Sequence, residues 1–280
     1  MKTFILATMT LFMFYGCSSS KKQLTTQQKK AQIFFSKGTV ALIEKDYKLA
    51  LSSLLEANKL DPENSNILTN LGMAYYFRGK KGIAIRYFEK ASELSPNSSD
   101  PKVNLASLYL ENGELGKAEA LYKQVLKNLV YEKQFRTYYN LGIISLKKGD
   151  RLAAGEYFAK SAEEKKDYCP SLFQLGKIHY SNKKFMKALE NFKAAHLGTC
   201  YKEPAPYYYR ALTLTKVGKY DEAMKVFKTI QDQFPGSNYF SLASHQINML
   251  LEKKEKEEKE EISSYKKFNN KDKTLSTPMF

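Results

Sequence analysis

The chain predicts an all-α fold, a solenoid of about six helix–turn–helix repeats closed by a C-terminal capping helix. Three recurrences predict it. A small residue returns at Gly38, Gly72, Ala106, Gly142, Gly176 and Ala211, at intervals of 34, 34, 36, 34 and 35 residues. Twelve residues after each stands an alanine: Ala50, Ala84, Ala118, Ala154, Ala188 and Ala223. Four further on comes a large apolar side chain: Leu54, Phe88, Tyr122, Phe158, Phe192 and Phe227. A spacing of four within a helix puts alanine and large residue on one face, with the small residue opposite to let two helices approach.

The second unit shows the pattern most fully: Leu68-x-x-Leu71-Gly72-x-x-Tyr75, then Ala84-x-x-x-Phe88-x-x-Ala91, then Pro96. Proline has no amide hydrogen and ends the second helix; Pro62 and Pro235 stand at the matching places of the first and sixth units, while units three to five lack one. Turn-forming pieces separate the two helices of a unit, among them Arg78-Gly79-Lys80, Glu111-Asn112-Gly113 and Lys148-Gly149-Asp150. This pattern resembles the tetratricopeptide (TPR) repeat, with Leu68 where tryptophan is usual. The resemblance covers residues 31–235 and implies a right-handed superhelix whose first helices line an inner groove.

The elements follow in order. Residues 1–16 carry Lys2, an apolar run from Phe4 to Tyr15 and then Gly16, which reads as a secretory signal too short for a comfortable membrane span. Gly16-Cys17 resembles the end of a bacterial lipobox, although Phe14-Tyr15 departs from the usual residues there. The resemblance makes Cys17 the acylated first residue of a lipoprotein. Ser18–Ser20 then begin a polar tether, 17–30, and serine after the cysteine implies the outer membrane, facing the periplasm. Lys21, Lys22, Lys29 and Lys30 either touch anionic lipid or remain solvated.

The formal charge of +16 raises nucleic acid as a partner. Export, and the lack of a basic run interleaved with aromatics, argue against it. A basic exported protein meets anionic lipid, peptidoglycan or an acidic segment instead. Beyond Cys17 only Cys169 and Cys200 remain. They fall at the start of the first helix and the exit of the second helix of repeat five, ends that lie side by side in an antiparallel pair. An oxidising compartment permits a disulfide there; free thiols and a metal site with His179 and His196 are the other readings, the last short of ligands. His179 occupies the template's tyrosine position and reads as a packed core residue. No catalytic constellation, phosphate loop or cofactor motif stands out, so no enzyme and no cofactor is expected.

Read onto the TPR template, the groove positions are Phe35 in repeat one, Met73, Tyr76 and Phe77 in repeat two, Leu110 in repeat three, Tyr139 and Ile143 in repeat four, Phe173 and Tyr180 in repeat five, and Tyr208 in repeat six. Such a lining suits an apolar peptide or amphipathic helix of a protein partner. Part of it also serves packing between repeats. The clamp for a chain-terminal carboxylate found in chaperone-binding TPRs is mostly absent: Asn70 matches, but Phe35 and Thr39 replace its lysine and asparagine. Residues 236–262 follow as a capping helix, with Phe240, Ala243, Ile247, Leu250 and Leu251 on one stripe and Glu252/Lys256 and Glu255/Lys259 at helical spacing. Residues 263–280 read as a disordered basic tail.

A lipoprotein start, six repeats and two cysteines around repeat five resemble the TPR pilotin lipoproteins of type IV pilus systems, the social-gliding-motility lipoprotein type. That resemblance implies a secretin subunit as partner and assembly of the secretin ring as the task. The alternatives are a TPR lipoprotein of the β-barrel assembly machinery, whose helix-ending motif Phe234-Pro235-Gly236-Ser237 resembles, and an accessory to a cell-wall hydrolase.

Overall fold

The computed structural model describes residues 24–275, and the side chains of residues 24–267. Residues 1–23, with the expected signal, Cys17 and the first part of the tether, lie outside the described residues. Thirteen helices and no strand make up the described residues. The described residues form two compact units, divided between Leu94 and Ser95.

The first unit holds α1 (Thr26–Ile43), α2 (Tyr47–Leu60), α3 (Ser65–Phe77) and α4 (Lys81–Leu94). α1 starts five residues before the expected edge of the repeats, so the tether is shorter than 17–30. The reason is local: Thr25 caps the helix, its hydroxyl accepting from the Gln28 amide at 3.1 Å while Gln28 Oε1 accepts from the Thr25 amide at 3.0 Å. This reciprocal pair satisfies two otherwise orphaned donors. Asp46 caps α2, accepting from the Leu49 amide, and Asn64 caps α3, accepting from the amides of Asn66 and Ile67. α1 pairs with α2, α3 with α4, and α2 also packs on α3.

The second unit continues with α5 (Asp100–Glu111), α6 (Leu115–Val125), α7 (Gln134–Lys147), α8 (Arg151–Glu164), α9 (Cys169–Ser181), α10 (Phe185–Leu197), α11 (Pro204–Lys216), α12 (Tyr220–Gln233) and α13 (Asn238–Leu275). Each odd helix pairs with the next even one, and each even helix packs on the following pair. α13 covers α12 and α11, burying Ala243, Ile247 and Leu250 with Phe227 and Ile230. The cap therefore lies where the sequence put it, but it is longer: residues 263–275 are helical, not disordered. No glycine or proline interrupts the chain between Gly236 and Pro278. The preceding turns are rich in lysine and glutamate, good helix formers, with Lys253 and Glu257 paired at 3.7 Å, and the helix they form runs on into residues 263–275.

The recurrences explain the packing. All six alanines are fully buried, and so are Leu54, Phe88, Tyr122, Phe158, Phe192 and Phe227. The ring of Phe88 stands where a side chain on Gly72 would be, 2.5 Å from the position its Cβ would take. In the same way Leu54, Phe158 and Phe192 stand 2.6, 2.6 and 2.5 Å from the Cβ positions of Gly38, Gly142 and Gly176. The helix-to-helix turn has its own rule. Seven residues after each small residue stands a left-handed backbone position: Gly79, Gly113, Gly149 and Gly218, but Lys45 at φ 63° and Lys183 at φ 58°.

Candidate functional site: the first helices of the repeats

In the first unit, Phe35 on α1 is half-buried and packs against the cluster of Leu54, Leu71 and Ala74. Met73 and Tyr76 on α3 are half-buried, and Phe77 at its C-terminus is exposed. Phe77 stacks on Tyr47 of α2 with ring centroids 4.8 Å apart, and Tyr76 meets Phe77 edge-on at 5.2 Å. These three aromatics thus form one surface cluster across two repeats. Thr39 and Asn70, read above against a carboxylate clamp, bond to each other: Asn70 Nδ2 donates to Thr39 Oγ1 at 2.8 Å.

In the second unit the six remaining positions are all half-buried, but most are committed to neighbours. Leu110 packs against Tyr122 and Ile144, and Ile143 against Phe158 and Leu175. Tyr139 lies 5.7 Å from both Phe158 and Tyr168. Phe173 meets Phe192 and Tyr209 at 5.8 and 5.4 Å. Tyr208 meets Phe227 and, on the capping helix, Tyr239 at 5.8 and 5.3 Å. Tyr180 contacts Phe185 across the turn of its own repeat at 5.6 Å. The aromatic three residues before the small residue, as in Phe35, Tyr139, Phe173 and Tyr208, bridges its own pair and the next element. Tyr76 and Tyr180, in the C-terminal half of their helices, are half-buried as well, and of the ten positions only Phe77 is exposed. Burial pushes the hydroxyls of Tyr139, Tyr180 and Tyr208 up from the ordinary phenol range, so all three are neutral donors at physiological pH.

The sequence reading did not single out Tyr168, Tyr209 and Tyr239, which complete these ring contacts. Tyr209 stands one residue off the recurring aromatic position that Tyr208 holds, and Tyr168 and Tyr239 lie outside the first-helix groove positions.

Cys169 and Cys200 are joined by a disulfide, with Cα atoms 5.6 Å apart. It ties the start of α9 to the segment after α10, where the Cys169 amide also donates to Thr199 Oγ1 at 3.3 Å. His179 Nδ1 lies 2.7 Å from Asn191 Oδ1, a bond that joins α9 to α10. His196 packs against Tyr207 at 4.8 Å, and burial holds its pKa below the ordinary value. Among the described residues no three of His, Cys, Asp and Glu are grouped to hold a metal ion, and no helix is long and apolar enough to cross a membrane.

Tetratricopeptide repeat models match residues 65–98 and 135–168, 84–130, and 196–237, together about half of the chain. No curated protein matches the sequence. Among solved structures, that of PilF of Pseudomonas aeruginosa superposes with a TM-score of 0.71 at 16% identity, over 79% of this chain and 100% of that one. PilW, described as a widely conserved type IV pilus biogenesis factor, gives 0.66 at 19% identity over 76% and 97%. YrrB, described as a TPR protein with an unusual peptide-binding site, gives 0.52 at 17% identity over 69% and 96%. The repeat models and the helix pairs agree: this chain belongs to the tetratricopeptide repeat family.

Proposed function

We propose that this protein is an outer-membrane-anchored TPR scaffold that binds a protein partner and acts as a pilotin, assisting assembly of a type IV pilus secretin. The observation that carries the reading is the likeness in fold to PilF and PilW along nearly their whole lengths. It is supported by the surface aromatics at the C-terminal ends of first helices, Tyr76, Phe77 and Tyr180, which suit an apolar or amphipathic segment of the secretin subunit. Acylation of Cys17 would hold the scaffold at the membrane, facing the periplasm.

The mechanism needs no chemistry. A scaffold that binds the subunit but not its aggregates stabilises it by mass action. Anchoring scaffold and subunit to one surface raises their effective concentration to about the millimolar range. The test is deletion of the gene, with heat-stable secretin multimers measured in the envelope. The proposal expects their loss, restored by the native gene and not by a Tyr76→Ala/Tyr180→Ala variant whose circular dichroism is unchanged. Undiminished multimers would refute it, and co-isolation of barrel-assembly subunits would then favour the reading suggested by Phe234-Pro235-Gly236-Ser237.

A further inference from the structure

Two residues before the alanine of each second helix the chain carries Lys48, Gly82, Gly116, Leu152, Met186 and Asp221. Only in repeats four and five is this residue large and apolar, and there it is left in solvent. Leu152 is 83% exposed and Met186 59%. Each stands in the first turn of its helix, beside the turn that joins the two helices of the repeat.

Those turns are basic. Lys147, Lys148 and Arg151 flank Leu152, while Lys183, Lys184 and Lys187 flank Met186, and all six are exposed. Lys148 pairs with Glu119. Among the described residues the other five form no ion pair. The carboxylate within the two turns is Asp150, which is spent on its own helix, accepting from the Ala153 amide at 2.9 Å. The equivalent turn of repeat six differs: Lys216 and Lys219 are balanced by Asp221 and Glu222, and Lys219 bonds Glu222 at 2.9 Å.

The two basic turns share an edge. Gly155, one turn into α8, faces Ile178 Cδ1 at 4.0 Å from where its Cβ would be, and Ile178 is in the last turn of α9. α9 leads directly into Lys183 and Lys184. Lys183 moreover holds a left-handed backbone at the place where four other repeats use glycine. A lysine there carries conformational strain that glycine would relieve.

Protruding apolar tips ringed by unpaired amines have no walls to enclose a peptide. They fit a soft anionic surface, into which the tips insert while lysine stems lie along the acyl boundary and their charges reach phosphate. We propose that this turn edge of repeats four and five docks onto an anionic lipid bilayer. The contact uses neither Cys17 nor a groove position, although Tyr180 reaches Phe185, between Lys184 and Met186, at 5.6 Å; its readouts, vesicle partition and Trp emission, are separate from secretin multimers.

The chain contains no tryptophan, so L152W gives a single reporter of depth. The full chain carrying L152W is mixed with phosphatidylcholine vesicles containing about one third phosphatidylglycerol, and with phosphatidylcholine alone. The expected result is a blue shift on the anionic vesicles only, with quenching by acyl-brominated lipid. L129W, in the loop after α6, is the control expected not to shift. K183Q/K184Q/K187Q should lower the vesicle partition coefficient by about 100-fold, each basic residue near an anionic surface being worth about fivefold. A solvent-like L152W emission while the protein sediments with vesicles would overturn the proposal, as would equal partition on neutral vesicles. A shift of L152W with polyglutamate but not with vesicles would overturn it in favour of an acidic protein segment.

Discussion

Alanine in place of Gly142 should destabilise the second unit, whereas the same change at Gly155, thirteen residues on, should stabilise it. The contrast comes from space alone. A Cβ on Gly142 would stand 2.6, 2.7 and 2.9 Å from Cε1, Cδ1 and Cζ of Phe158, a fully buried ring in a cluster with Leu175 of α9. Overpacking of this kind costs about 1–3 kcal/mol. Alanine recovers about 1 kcal/mol over glycine inside a helix, which leaves a net loss of up to about 2 kcal/mol. At Gly155 the nearest atom is Ile178 Cδ1 at 4.0 Å, ordinary contact, so the helix keeps a gain of about 0.5–1 kcal/mol. Urea unfolding followed by circular dichroism should move the midpoint down for G142A and up for G155A. Adding F158L should recover part of the G142A loss, with a coupling of about 1 kcal/mol or more. If G142A matched G155A, the ring of Phe158 would yield to the added methyl without cost, and the account of why the small residue recurs would fail.

Three further outcomes follow from the structure. Lys45→Gly should stabilise the first unit by about 0.5–1 kcal/mol, because the left-handed position costs a lysine about 1–2 kcal/mol and glycine part of that in entropy; an unchanged or lower urea midpoint would contradict it. Reduction of the Cys169–Cys200 bridge should lower the stability of the second unit by about 3–4 kcal/mol on the loop-entropy model for a separation of 31 residues, read as the shift in urea midpoint with and without reductant. Tyr122, fully buried, bonds Ser107 and Asn140 through its hydroxyl at 2.8 Å each, and burial pushes its pKa from 10.0 up to about 12. The folded state holds that proton more tightly, so this contribution is complete below pH 10 and is lost between pH 10 and about 12, about 2–3 kcal/mol in all. Tyr122→Phe should flatten the alkaline fall in stability while costing about 1 kcal/mol at neutral pH; an alkaline profile parallel to the native one would show that the hydroxyl does not titrate this way.

Most of the fold was legible because the repeat constrains three positions at once. The small residue, the alanine and the large side chain form one contact, so each repeat confirms the others. The turn rule was legible only in part, since glycine announces a left-handed residue and Lys45 and Lys183 do not. The start of α1 was written in Thr25-x-x-Gln28, but the repeat frame set the boundary at residue 31 and concealed the cap. The helical continuation past Ile262 was missed because a charged stretch resembles a disordered one in composition. What separates them here is the lack of a breaker between Gly236 and Pro278. The groove was the least legible. A large apolar residue on a first helix serves packing and binding equally well, and only contacts such as Tyr139 on Phe158 distinguish the two uses.

The central claim is that surface residues of the first helices hold a segment of a secretin subunit. A photo-crosslinking residue placed at Tyr180 in the native envelope tests it most directly, with Lys160 on a second helix as the reference position. The account predicts a single adduct from position 180, identified by mass spectrometry as the secretin, and none from position 160. Adducts with barrel-assembly subunits, or equal yields from the two positions, would contradict it.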